Sequence, residues 1–471
     1  MYKSYGYRLP EDFLIGTASS AFQCEGGWDK DGKSVSMMDH YARLYAGKPA
    51  PNPGADQESG SRRRDVLPPQ SEDLPDNGGW FYDYYEEYIE DMAKTGQNVF
   101  RMSLAWPRII PDGVGEVNPK GIEFYNKVID KLLEKGITPF VDLYHWDLPQ
   151  CLEDIGGFAN PNFPDWFENY AKICFEAFGD RVKLWSTFNE LSIIITGGYA
   201  NGNFPPFHHD IKEALQAGQY CLIAHFRAVR LYKSMNLGGQ IGMVNCISNT
   251  TPARMVEEDT GAVARQIERD FFWWVQTALE GTYPQRLFRE CAYIRDNMPE
   301  NYQEELDKWF IPMDFIGVNY YISNRTSYKP DKPLLSAPVS SFYAAPGQSF
   351  APYPAGMLDV VLWISERYPN VDIYITENGC AIPNRNDAES ECEDPERITY
   401  LREHLRMCAR IIRMGYRLKG YMYWNDCDCY EQISGYGLRF GLTWVDHKTG
   451  ERRWKQSRHY FSEICHSRMV N

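Results

Sequence analysis

Glu190 ends one apolar run, in Ser186-Thr-Phe-Asn-Glu190, and Glu377 closes another, in Tyr374-Ile-Thr-Glu-Asn-Gly379. A carboxyl group placed just after a buried strand of a β/α barrel points into the open mouth, where chemistry is done in that architecture. Two such groups facing each other across a pocket can break a glycosidic bond. One, protonated, gives its proton to the leaving oxygen; the other, ionised, attacks the sugar or activates water. This division of labour calls for carboxylates only, so no metal and no cofactor is implied. Either glutamate alone is better explained as a helix cap or as the partner of an arginine. The pair, in matching contexts, is what points to catalysis.

Two such carboxylates need a scaffold, and the rest of the chain reads as one. Short β-rich runs fall at Phe13–Ala18, Asn98–Ser103, Thr138–Tyr144, Val182–Asn189, Gln240–Cys246, Asp314–Tyr320, Val371–Thr376 and Gly420–Asn425. Several are dense apolar runs, as parallel strands covered on both faces must be. Amphipathic stretches lie between them: Tyr82–Lys94, Lys120–Lys135, Asp165–Phe178, Ile211–Met235, Ala262–Leu279, Met357–Arg367 and Pro395–Met414. Asn118-Pro119 supplies a cap and first-turn proline for the second, and Gly136, Gly179 and Gly415 close three of them. Eight strands alternating with helices predict a single (β/α)8 TIM barrel spanning residues 1–471. A doubly wound sheet is the competing topology, but no G-x-G-x-x-G follows any strand. Two long loops, Lys48–Gly79 with its Arg62-Arg63-Arg64 triplet and Tyr328–Pro354, follow strands one and six. They are therefore expected on the C-terminal face, walling the active site. The triplet reads most simply as a solvated loop feature.

The chain has 471 residues and a formal net charge of −15. An acidic surface repels phosphate backbones and anionic lipid, which argues against nucleic-acid and membrane partners. No run approaches the roughly 18 apolar residues of a membrane span. The stretch Met1–Pro10 has no apolar region of the kind a secretory signal needs, so a cytoplasmic location is expected. The 12 cysteines show no paired zinc spacing and read as reduced, packed thiols, with Cys427-Asp428-Cys429 as neighbouring strand-end thiols. Aromatics make up 15% of the chain, with 13 Trp and 32 Tyr, side chains suited to sugar faces but equally to a core.

Taken in order, the motifs resemble those of glycoside hydrolase family 1, the β-glucosidases and their relatives. Phe13-Leu-Ile-Gly-Thr-Ala-Ser-Ser-Ala-Phe-Gln-Cys-Glu-Gly26 is similar to the family's N-terminal signature. Phe100-Arg-Met-Ser-Leu-Ala-Trp-Pro-Arg-Ile109 resembles its second strand, Leu143-Tyr-His-Trp-Asp-Leu-Pro149 its third and Phe315-Ile-Gly-Val-Asn-Tyr-Tyr321 its sixth. Thr187-Phe-Asn-Glu190 and Ile375-Thr-Glu-Asn-Gly379 match its catalytic strands, and Arg439-Phe-Gly-Leu-Thr-Trp-Val-Asp446 its last signature. The resemblance implies Glu190 as acid/base and Glu377 as nucleophile of a retaining β-glycosidase. It implies that Asn189 bonds the sugar 2-hydroxyl, that Gln23, His145 and Glu431 read other hydroxyls, and that Trp424 lies under the ring. Arg101, Asn319 and Tyr321 would support the site, Arg101 and Tyr321 by holding Glu377 ionised. An ionised Glu377 about 5 Å away would in turn push the Glu190 pKa upward.

Three departures stand out. Leu191 replaces the usual Pro after the acid/base, and Ile15 the usual Trp of the first signature; both are expected to affect packing only. Gln432 replaces a Trp that normally contacts the sugar. Relatives acting on 6-phosphorylated sugars usually lack the glutamate at 431 and carry Lys where Leu438 stands, so an unphosphorylated sugar is expected. Glucose is the default, with galactose and 6-deoxy sugars as alternatives. A transglycosidase would use the same two carboxylates. A non-catalytic sugar-binding protein would have no need to keep both.

Overall fold

The computed structural model describes residues 7–46, 74–339, 352–383, 387–432 and 435–471. Eight parallel strands close into a barrel in sequential order: β1 (Leu14–Ala18), β2 (Val99–Ser103), β3 (Thr138–Tyr144), β4 (Leu184–Asn189), β5 (Gln240–Cys246), β6 (Phe315–Asn319), β7 (Asp372–Asn378) and β8 (Leu418–Trp424), with β8 paired back to β1. Each predicted strand is present, with ends moved by at most two residues.

The outer helices follow the predicted periodicity: α1 (Phe81–Thr95), α2 (Pro119–Glu134), α3 (Phe163–Phe178) and α4 (Ile211–Ser234). The Asn118 side chain accepts the Lys120 N–H at 3.2 Å, and Pro119 occupies the first turn, where its missing N–H costs nothing. The single helix expected over Ala262–Leu279 is instead α5 (Glu257–Ile267) and α6 (Trp273–Glu280), joined by a π-helical turn at Glu268–Phe272. Across this junction four successive bulky residues, Phe271 to Trp274, are all buried. Next come α7 (Pro354–Arg367), α8 (Pro395–Arg413) and α9 (Gln456–Ser467). The last has a buried face that includes Ser457 and Arg458, and Arg458 pairs with Asp426 at 3.1 Å. Its apolar stripe is thus interrupted, which is why periodicity alone did not expose it.

Inside the barrel, Val99, Phe140, Leu184, Phe315, Tyr374 and Met422 form one apolar cluster; the Phe140 and Phe315 rings meet edge-on at 5.4 Å. Strand residues two apart share a face, so Arg101 follows Val99 inward, Asp142 follows Phe140, and Trp424 follows Met422. Glu377 lies three residues after Tyr374 and Asn189 five after Leu184, both out of phase. The pairing register shifts between Ile375 and Glu377 in β7 and between Ser186 and Asn189 in β4, which restores the inward aim. An extra residue of this kind commonly re-aims a side chain beside a functional site. Gly379 then lets the end of β7 close on β8, because a Cβ there would sit 2.0 Å from the Trp424 carbonyl oxygen.

Of the two long loops, residues 48–73, including the Arg triplet, and 340–351 lie outside the described residues. The described part of the second lines the barrel mouth through Lys332, Pro333 and Leu334. Ser336–Val339 pairs there with Ser323–Tyr328, which also pairs with Asn249–Pro252. Leu191 and Ile15 are fully buried, consistent with packing roles. The described cysteines are all free, and only Cys151 is exposed. Among the described residues, no helix is long and apolar enough to cross a membrane.

Candidate active site

At the C-terminal mouth lies a cavity of about 790 Å³ lined by Gln23, His145, Glu190, Tyr321, Glu377, Trp424, Glu431 and Gln432. Arg101, Asn189 and Asn319 are fully buried and bonded to that wall. All eleven residues singled out from the sequence therefore converge on one site.

Glu377 has both oxygens occupied by donors. Arg101 donates to Oε1 at 2.6 Å and the Tyr321 hydroxyl to Oε2 at 2.6 Å. Charge-assisted bonds of this length hold a carboxylate in place. Burial, with Glu377 beside it, holds the Tyr321 phenol well above its ordinary pKa, so it stays a donor. Arg101 also pairs with Asp142 at 2.6 Å and donates to Asn189 Oδ1 at 2.7 Å. Burial pushes Asp142 up to about 6; Arg101 pulls it down and Glu377 pushes it further up. Asp142 was not singled out from the sequence, although an acidic residue inside the apolar run Thr138–Tyr144 is a visible signal.

Glu190 sits in a different environment. Its backbone is left-handed, with φ at 53°, an uncommon and costly conformation for a residue with a side chain. The turn is fixed on both sides: the Glu190 N–H donates to the Val244 carbonyl at 2.9 Å, and the Trp146 indole donates to the Asn189 carbonyl at 2.9 Å. Its carboxyl accepts from Asn319 Nδ2 at 2.8 Å. Its pKa is pushed up to about 8, chiefly by burial and secondly by the charge of Glu377, while Asn319 and Arg101 pull it back. The upward push expected from Glu377 is thus present, but loss of solvent is the larger cause.

Asn189 organises the floor. Its Oδ1 accepts from Arg101 and, at 3.0 Å, from Asn319. Its Nδ2 therefore faces His145 Nε2 at 3.0 Å as the donor, leaving the imidazole proton on Nδ1. Burial, aided by the Arg101 charge, holds His145 well below its ordinary pKa and hence neutral. The His145 ring stacks on Trp424 at 5.6 Å. Opposite, Gln432 Nε2 donates to Gln23 Oε1 at 3.3 Å and Gln23 Nε2 donates to Glu431 at 3.1 Å. The Cys429 thiol lies 3.8 Å from the other Glu431 oxygen. Burial pushes Glu431 up to about 8. This wall is a run of amides and a carboxyl group, a surface matched to hydroxyl donors and acceptors.

The chain matches the family model for glycosyl hydrolase family 1 over residues 5–469. It is 34% identical to Beta-glucosidase A of Thermotoga maritima across 97% of both chains. It is also 34% identical to the 6-phospho-beta-glucosidase GmuD of Bacillus subtilis, across 98% of both. The solved structure of the family 1 b-glucosidase from Thermotoga maritima superposes with a TM-score of 0.89 at 33% identity, covering 99% of this chain and all of that one. The beta-glucosidase from the same organism in complex with glucoimidazole gives 0.87, over 98% and 99% of the two chains. Plain and phosphorylated sugars thus appear among relatives of equal similarity, and the choice between them rests on the site. The fold, the converging carboxylates and these similarities together place the chain, a glycoside hydrolase, in glycosyl hydrolase family 1.

Proposed function

We propose that the protein is a retaining β-glycosidase of small, unphosphorylated β-glycosides, β-glucosides first, working in the cytoplasm as one catalytic domain. Glu377 is the nucleophile and Glu190 the acid/base. One observation carries this reading: the two carboxyls share a cavity but not an environment. Glu377 is clamped by a guanidinium and a phenol, while burial keeps Glu190 protonated near neutral pH. Attack by Glu377 on the anomeric carbon is matched by proton donation from Glu190 to the leaving oxygen. Forming the glycosyl-enzyme ester removes the Glu377 charge and with it one cause of the raised Glu190 pKa. Glu190 can then take a proton from the attacking water.

The glycone is read by Gln23, His145, Asn189, Glu431 and Gln432. None of these is a cation, and among the described residues the two cations lining the cavity, Arg269 and Lys332, come from other segments. A phosphate ester dianion against Glu431 would face a carboxyl group without a balancing charge, an expensive arrangement in a buried site. Aryl β-glucosides should therefore be turned over and their 6-phosphates not, when both are assayed with the same leaving group.

The general acid works only while protonated, so kcat/KM for substrates with poor leaving groups should fall as pH rises through about 8. With 2,4-dinitrophenyl glycosides, which need no proton, the contribution of Glu190 to that fall should vanish. The two pH profiles, measured side by side, check the assignment.

Gln432 is smaller and more flexible than an indole and is spent partly on Gln23. The wild type should discriminate weakly between β-glucosides and at least one epimer or deoxy analogue. Gln432→Trp should shift kcat/KM ratios toward glucose several-fold, the worth of one hydrogen bond of about 0.5–1.5 kcal/mol. Gluco, galacto, fuco and manno aryl glycosides tested on both proteins give the answer. A strict wild type with unchanged ratios in the mutant would remove Gln432 from sugar choice.

A further inference from the structure

Asp142 is a third acid of the site, and it lies beneath the cavity rather than on its wall. Its place on β3, two residues after Phe140, turns it into the barrel, where both it and Arg101 are fully buried. Ser186 is its register neighbour on β4. Arg101 holds two carboxyl groups at once through different nitrogens. Nη1 meets Glu377 Oε1 and Nη2 meets Asp142 Oδ2, each at 2.6 Å. Asp142 Oδ2 also lies 4.0 Å from His145 Nδ1, the nitrogen that carries the imidazole proton. That is too long for a hydrogen bond, but the positive end of the imidazole dipole faces the carboxyl group.

In the resting enzyme this acid is one charge too many. One guanidinium balances one carboxylate, and Glu377 already fills that place. Burying a second anion against the same cation is costly. The cost shows in Asp142 itself, which burial pushes up to about 6 against the pull of Arg101 and with the push of Glu377. Glu190 and Glu431, pushed up to about 8 chiefly by burial, keep their protons at neutral pH and add no charge there. The surplus lasts only until the first chemical step. Glu377 bonds to the anomeric carbon, the bond from that carbon to the leaving oxygen breaks, and that oxygen takes the Glu190 proton. Glu377 is then a neutral ester. The negative charge has moved to Glu190, which is bonded to Asn319 at 2.8 Å and not to Arg101. Without Asp142 the buried guanidinium would be left among neutral partners. With it, one cation faces one anion, and the Glu377 charge that had pushed against Asp142 is gone.

We infer that Asp142 is a positioning residue of the double displacement, the counter-charge that stays on Arg101 while Glu377 is an ester and so favours the covalent intermediate. This rests on the glycosidase reading with Glu377 as nucleophile, and the experiment separates the two. The probes are 2,4-dinitrophenyl 2-deoxy-2-fluoro-β-glycosides in gluco and galacto form. Fluorine at C2 slows both chemical steps, so uptake of the label, and its release from the isolated labelled protein, can each be timed by intact mass. Asp142→Asn keeps the shape of the side chain and removes its charge. Arg101 would then hold the Glu377 carboxylate alone and more firmly, and the ester would leave Arg101 unbalanced. Uptake should slow about tenfold and release should quicken severalfold, the scale on which one close opposite charge acts. Asp142→Ser, smaller and also neutral, should move the two steps in the same two directions. A merely structural role would slow both steps together. Both steps slowed, both unchanged, or unfolding of both variants would overturn the inference, and the nucleophile assignment would stand if the wild type carries the label on Glu377. A wild type that takes up neither label would overturn the glycosidase reading and this inference with it.

Discussion

Glu377→Gly should reduce turnover of aryl β-glycosides by a factor on the order of 10⁵–10⁶, the scale seen when a covalent nucleophile is removed. The fold should survive. Arg101 keeps Asp142 at 2.6 Å and Asn189 at 2.7 Å, so its guanidinium is not left buried and unpaired. What the substitution creates is a cavity next to two donors that have lost their acceptor, Arg101 Nη1 and the Tyr321 hydroxyl. A small anion is drawn to such a place by the same charge that held the carboxylate. Azide or formate should therefore restore part of the rate, most with activated leaving groups. Azide attacking from the face Glu377 occupied gives an α-glycosyl azide. Product analysis by NMR decides the matter: a β-configured azide, or full activity without added anion, would show that Glu377 is not the nucleophile.

Both glutamates are legible in the amino-acid sequence because the signals that mark them are local. A strand ends where its apolar run ends, and Glu190 and Glu377 each sit at that point. Helix limits are legible for the same reason: prolines in first turns and glycines after last turns act within a few residues, and α2, α3 and α8 begin or end within two residues of the places those signals mark. The register shifts in β4 and β7 are not legible, because an inserted residue in a strand leaves the apolar run looking unbroken. Without them Asn189 and Glu377 would face outward. Nor can local pattern show that Gln432 bonds Gln23, 409 residues away in sequence, or that Asp142 shares Arg101 with Glu377. Burial, the largest cause of the Glu190 shift, is a property of the assembled mouth and not of any motif. Where the resemblance to the family stops, at Gln432 and the thiols beside it, so does the reading of sugar choice.

The acid/base assignment makes the second large prediction. Glu190→Ala should slow the glycosylation step about 10²–10⁴-fold for alkyl and simple aryl glycosides, the usual worth of a positioned general acid. For 2,4-dinitrophenyl glycosides, whose leaving group departs as a stable anion, the same step should change by less than about tenfold. The loss should therefore rise steadily with leaving-group pKa, which a residue acting only through structure would not produce. Folding is not expected to suffer, since the alanine relieves burial of a carboxyl group whose pKa has been pushed up to about 8. Asn319 retains Asn189 as an acceptor at 3.0 Å. The later step should be slow with every substrate, because deglycosylation always needs a base to take the proton of water. With 2,4-dinitrophenyl substrates the covalent intermediate should then accumulate, visible as a burst of dinitrophenol and as a mass increase of the intact protein. Pre-steady-state rates that fall equally for good and poor leaving groups would exclude Glu190 as the proton donor. A burst absent under those conditions would exclude it as the base.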